Sequence, residues 1–210
     1  MKIYDISLPV HNDMMPFYQD PTASIYRVRD MDKGDDANVS ELKMGCHCGT
    51  HLDAPVHFVP GAPAVESLSL DDLIGPVLVV EFPESLEQIH ANDLEAAGIP
   101  AGVTRVLFKT RNSKLWERKE TKFSKDYCGV EADAAQWLID HGLKVVGLDH
   151  LSVCPFHDLL TTHRKFFEAR VIVIEGLNLT GIKPGLYQLI CMPLNLVGSD
   201  GAPCRVALIA

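Results

Sequence analysis

A chain of 210 residues is long enough for one sizeable core and too short for three, so a single domain spanning residues 1–210 is expected. Its 47% apolar and 22% charged content is ordinary for a globular protein and excludes wholesale disorder. With 19 Lys and Arg against 28 Asp and Glu the net charge is −9, which argues against nucleic acid or an anionic membrane surface as partners.

The opening Met1 to Val10 turns polar at His11-Asn12-Asp13; of the features of a secretory signal it has only the basic Lys2. No stretch approaches the ~20 apolar residues of a membrane helix. The six cysteines are too sparse for a disulfide framework in a chain this long, so a reducing, cytoplasmic setting is expected.

In chain order, apolar β-rich runs cover Ile3 to Leu8, Val39 to Met44 and Val77 to Phe82. Val59 to Ala64, rich in Pro and Gly, reads as a loop. Ser85 to Ala97 carries Leu86, Ile89, Leu94 and Ala97 at helical spacing and stops at Gly98. A strand over Val103 to Phe108 is followed by a charged stretch, Lys114 to Lys125, expected on the surface. Then come a helix over Glu131 to His141, a strand over Lys144 to Leu148, a helix over Leu159 to Ala169, and strands over Val171 to Ile174 and Tyr187 to Ile190. Several of the runs are continuous rather than alternating, as in strands buried on both faces. The fold class is therefore α/β: a mixed β-sheet core with packed helices.

The nine histidines are the informative residues, because each titrates near neutrality and each can bind metal. His47, His51, Asp53 and His57 fall within eleven residues, all at odd positions. Gly49, Thr50 and Pro55 disfavour a helix there, and in an extended chain odd positions share one face. Imidazoles and a carboxylate are ligands that suit zinc and manganese. Three readings stay open: a metal-binding face, which the spacing favours; a wet strand face; and a structural zinc using Cys46 and Cys48. Those two cysteines point away from the histidines in an extended chain, which also argues against either as a nucleophile. Glu175, closing the Val171 to Ile174 run, is either a solvated strand end or a buried charge held by a cation. His163, beside Arg164 and Lys165, reads by itself as a surface residue.

The run His47-Cys48-Gly49-Thr50-His51-Leu52-Asp53-Ala54-Pro55-Val56-His57 resembles the H-x-G-T-H-x-D-x-P-x-H signature of the metal-dependent cyclase family, which includes bacterial kynurenine formamidase and isatin hydrolase. Asp5-Ile6-Ser7-Leu8, Val106 to Thr110, Gly147-Leu148-Asp149 with Ser152, and Asp200-Gly201-Ala202-Pro203-Cys204-Arg205 also resemble family stretches, so the likeness spans nearly the whole chain. It implies a swivelling β/β/α-type fold and two divalent ions per chain, zinc or manganese. His47 and His51 would bind one ion, His163 the second, and Asp53 and Glu175 would bridge. His57 would stay unligated as the catalytic acid/base. Phe17 or Tyr18 would pack on a small-molecule substrate, although the Pro-Gly pair usual beside that aromatic is absent here. The loop before His163 also departs from the formamidase pattern, and His150 and His157 lie near enough to it to line the pocket. The resemblance implies hydrolysis of a small amide, formamidase-like, in a homodimer or homotetramer. Opening of a cyclic amide or lactone, or metal binding without turnover, are the alternatives.

Overall fold

The computed structural model describes residues 1–210. Ten strands form: β1 (Ile3–Asp5), β2 (Ser24–Arg29), β3 (Val39–Lys43), β4 (His51–Asp53), β5 (Ile74–Glu81), β6 (Arg105–Lys109), β7 (Val145–Leu148), β8 (Ile172–Glu175), β9 (Gly185–Pro193) and β10 (Gly201–Ile209). The helices are α1 (Leu70–Leu73), α2 (Ala91–Ala97), α3 (Ser113–Glu117), α4 (Ala132–Asp140) and α5 (Leu159–Glu168). Eight strands make one mixed sheet in the order β1-β10-β4-β8-β7-β6-β5-β9, and β9 also pairs with β10, closing the sheet on itself. The run from β5 through β6 and β7 to β8 is parallel, and the other pairings are antiparallel.

Closure explains the continuous apolar runs. Val77, Val79, Leu107, Val145, Ile172 and Ile174 point inward to meet Leu189, Cys191, Val206 and Leu208. Their neighbours Val80, Val106, Phe108, Val146, Leu148 and Val173 point outward and are covered by Leu94 of α2, Ala134 and Leu138 of α4, and Phe166 and Phe167 of α5. Both faces of the parallel strands are thus dry, as the α/β expectation required. Leucine or phenylalanine removed from either layer would cost about 2–5 kcal/mol.

Several boundaries differ from the expected ones. The helix expected from Ser85 starts only at Ala91, because Ile89 is held in a bridge to Val130, its N–H and carbonyl bonding Gly129 and Glu131. Asp93 then accepts from the His90 N–H and caps the helix. β2 and β10 lie outside the expected runs; Gly201 and Pro203 mask the second of these. Part of the charged stretch is anchored as α3, where the Trp116 indole N–H donates to the Asp149 carbonyl. The segment 47–57 is not one extended strand. Only His51–Asp53 is β, His47 sits in the preceding turn, and Pro55–His57 form a single 3-10 turn.

Candidate metal centre

Strand register sets the first ligands. β4 and β8 run antiparallel with His51 opposite Glu175 and Asp53 opposite Val173. Leu52 and Ile174 fill the barrel interior, so His51, Asp53 and Glu175 project to the other face, beneath α5. His163 comes down from that helix and is buried, as are His51, Asp53 and Glu175. The motif's Gly49-Thr50 is structural. Thr50 Oγ1 accepts from the Leu8 N–H and donates to the Gly176 carbonyl, tying the turn to the end of β8. Gly176 has φ +66°, and a Cβ there would lie 2.1 Å from the Gly49 oxygen, so no other residue fits.

The histidine rings are locked from behind. His51 Nδ1 lies 3.0 Å from the Gly49 carbonyl, and His163 Nδ1 lies 2.6 Å from the Leu159 carbonyl. A carbonyl only accepts, so each Nδ1 carries a proton and each Nε2 is turned the other way. The Nε2 atoms face carboxylate oxygens: His51 Nε2 is 3.1 Å from Glu175 Oε2 and 3.5 Å from Asp53 Oδ1, and His163 Nε2 is 3.2 Å from Glu175 Oε1. The His51 contact is not aligned as a hydrogen bond, and its Nε2 is a buried atom without a partner. Imidazole nitrogens and carboxylate oxygens that converge like this are satisfied by protons or by a cation between them, and the unpartnered His51 Nε2 has room for the cation. His51, Asp53 and Glu175 present one donor atom each within 4.8 Å of one another, as do His47, Asp53 and His57. The donor set therefore fits a divalent ion with N and O ligands, with the ring orientation that ligating histidines show.

His47 and His57 stand at the open side, stacked with ring centroids 4.0 Å apart. His47 Nδ1 is 2.8 Å from Asp53 Oδ1, and its Nε2 is 3.0 Å from Asp200 Oδ2. His57 Nδ1 lies 3.4 Å from the same Asp200 oxygen. Phe58 meets the His57 ring edge-on and stacks on His163 at 4.5 Å, completing the wall.

The charges follow from this geometry. Burial opposes ionisation of Glu175, yet the hydrogen bond from His163 and the closeness of the His51 ring hold its carboxyl well below the usual range. Asp53 is likewise held low by His47, against burial and the neighbouring Glu175. Burial alone would lower His47, but Asp53 and Asp200 raise it to about 10. His163 is raised well above its ordinary value in spite of burial, by the ionised Glu175 it bonds. His57 goes the other way: burial, helped by the charge of His47 and His163, lowers it.

The cleft between these residues measures about 160 Å³ and is lined on its apolar side by Phe17, Phe58, Leu151 and Leu159. A hollow of about 450 Å³ beside Trp116, Met14 and Met15 is larger, but no converging ligand group lies in it. Of the two aromatics expected at the substrate, Phe17 lines the cleft. Tyr18 does not; it packs edge-on against Phe123 and Phe156 instead. His150 is fully buried against the Tyr127 ring and His157 pairs with Glu131 outside, so neither lines the cleft. Sequence reasoning missed one residue here: Asp200 stood in a recognised motif without a role.

Residues 4–154 match the family described as Cyclase, putative cyclase. Over 99% of its length the chain is 44% identical to Cyclase-like protein 1 of Oryza sativa subsp. japonica, covering 78% of that protein. It is 31% identical to the kynurenine formamidase of Bacillus anthracis, over 99% of this chain and 97% of that one. The solved structure titled a predicted metal-dependent hydrolase from Bacillus stearothermophilus superposes with a TM-score of 0.84 at 34% identity, covering 99% of this chain and 97% of its own. The chain belongs to the cyclase family.

Proposed function

We propose that this protein is a metal-dependent hydrolase of a small amide, with formamide cleavage of the kynurenine formamidase type as its reaction. The observation that carries the reading is the buried, unpartnered His51 Nε2 and the His163 Nε2 facing the carboxylates of Glu175 and Asp53, with a further histidine at the open side. The similarity to a kynurenine formamidase over nearly the full length of both chains supports the reaction type.

In this reading His47, His51, Asp53, His163 and Glu175 hold two divalent ions, zinc or manganese. When bound, such ions supply Lewis acidity, polarising a carbonyl and lowering the pKa of water. His57 handles the proton. Its lowered pKa leaves it neutral at pH 7, ready to accept a proton from the attacking water and pass it to the leaving nitrogen. Phe17, Phe58, Leu151 and Leu159 exclude water and receive the apolar part of the substrate. A thiol route is disfavoured: burial pushes the Cys154 thiol up to about 11, so it stays protonated, and Cys48 is buried against Met14. Self-association belongs to the same reading and draws support from the β2–β3 ribbon, which is exposed along its whole length and carries Ile25, Val28, Val39 and Leu42. An isolated two-stranded ribbon is marginal in water.

A hydrolysis panel on metal-loaded protein tests the reaction: N-formylkynurenine, simple formamides, isatin and a lactone, each with and without chelator. Chelator-sensitive formamide turnover is expected. Turnover of isatin or the lactone alone would reassign the substrate to cyclic amides or esters, and metal binding without any turnover would contradict an enzymatic role.

A further inference from the structure

We propose that the Asp200–Gly201 corner is a positioning clamp for His47, fixing the tautomer and ring plane with which this histidine meets a divalent ion. The inference rests on the metal-binding reading above. It starts from a difference among the three inward-facing histidines. His51 and His163 are tied behind by backbone carbonyls of their own local segments, Gly49 and Leu159. His47 sits in a turn with no such carbonyl, and its outer nitrogen is held by a side chain 153 residues away.

The chemistry is the same in each case. A carboxylate only accepts, so Asp200 Oδ2 at 3.0 Å places the proton on His47 Nε2. Asp53 Oδ1, 2.8 Å from Nδ1, is an acceptor as well, so both ring nitrogens carry protons; Nδ1 is the one turned toward the ligand cluster, and the one that would give up its proton to a cation while Asp200 keeps the proton on Nε2. A carboxylate behind a ligating imidazole also increases its basicity, which strengthens the ligand. Asp200 stands outside both groups of converging ligand atoms, so it acts through His47 and not as a ligand itself.

Gly201 supplies the ring plane. A Cβ there would fall 2.5 Å from His47 Cε1 and 2.9 Å from both ring nitrogens, so the imidazole lies flat against the bare α-carbon. The corner itself is rigid. Gly201 pairs with Asp53 across β10 and β4, Ala54 N–H donates to the Asp200 carbonyl at 2.8 Å, and Ser199 Oγ donates to the Gly201 carbonyl at 2.7 Å. The clamp therefore hangs on the strand that carries His51 and Asp53, and any shift in it moves His47 relative to them. The same oxygen lies 3.4 Å from His57 Nδ1, so the clamp also orients the ring stacked on His47.

The test is cobalt(II) affinity of the full chain, by competition with a chromophoric chelator, together with the visible absorption of the bound cobalt. Asp200→Ala should weaken binding by about 10–100-fold and alter the cobalt spectrum. Asp200→Asn, which keeps an acceptor without the charge, should fall between Ala and wild type. Gly201→Ala should alter the spectrum by displacing the ring. Asp200 is about half exposed, so the metal-free Ala and Asn variants should still melt in one transition, only slightly below the wild type. Wild-type affinity and spectrum in Asp200→Ala would overturn the clamp. A wild-type chain that binds no cobalt would instead overturn the metal reading, and the clamp with it.

Discussion

The two halves of the centre are built differently. His51, Asp53, Glu175 and His163 stand on β4, β8 and α5, where strand register and helix packing position them, and all four are buried. His47 and His57 stand on a turn and a single 3-10 turn, their side chains 15% and 27% exposed, with half-exposed Asp200 beside them. A site on regular elements is held more firmly than one on loops, whereas a group that exchanges protons must reach water. The buried half is suited to holding ions, and at the open half His57, outside the proposed ligand set, is suited to moving protons.

The largest effect is expected from breaking the buried half. Glu175→Ala removes the carboxylate faced by both His51 and His163. A divalent ion at about 100 times its Kd should stabilise the wild type by about 2.7 kcal/mol, or roughly 5–10 °C in melting temperature for a chain of this size. In Glu175→Ala that metal-dependent gain should disappear in a thermal melt, and formamide turnover with it. A retained gain would mean that the ions sit elsewhere.

An effect confined to acid pH sharpens the comparison from behind the site. His150 is fully buried, stacks on Tyr127 at 3.6 Å, and accepts the Gly176 N–H through its carbonyl. Burial depresses its pKa from the ordinary 6.5 to about 3. A depressed histidine contributes stability that is complete above the unfolded value and is lost as pH falls toward the folded one. Wild-type stability should therefore drop by about 1.4 kcal/mol per pH unit between roughly pH 6 and 3 from this residue. His150→Phe keeps the stacking and cannot titrate. The difference between the urea midpoints of the two proteins should be flat above pH 7 and grow below pH 6. A constant difference across that range would contradict a buried neutral His150.

Much of this was legible in the sequence, for physical reasons particular to each part. Continuous Val and Ile runs signal strands dry on both faces, and β5 to β8 are such strands. The motif histidines do converge, but not because odd positions share one face of a long strand; that holds only for His51 and Asp53. His47 and His57 reach the site through turns, which carry no periodicity to read. His163 resembles a surface residue because its neighbours Arg164 and Lys165 lie on the wet side of α5, while Phe166 and Phe167 share its buried side. Glu175 was ambiguous for want of register, and pairing with β4 places it opposite His51. Asp200 could be seen as part of a motif, yet its contact spans 153 residues, and nothing local predicts that.

The division of labour between the halves is tested most directly by His57→Ala, with metal content and formamide hydrolysis measured on the same preparation. The account predicts two divalent ions per chain in both wild type and variant, with kcat lowered by about 10²–10⁴ in the variant. Unchanged hydrolysis would contradict the proton-carrying role of His57. Loss of an ion along with activity would show that His57 belongs to the ligand set.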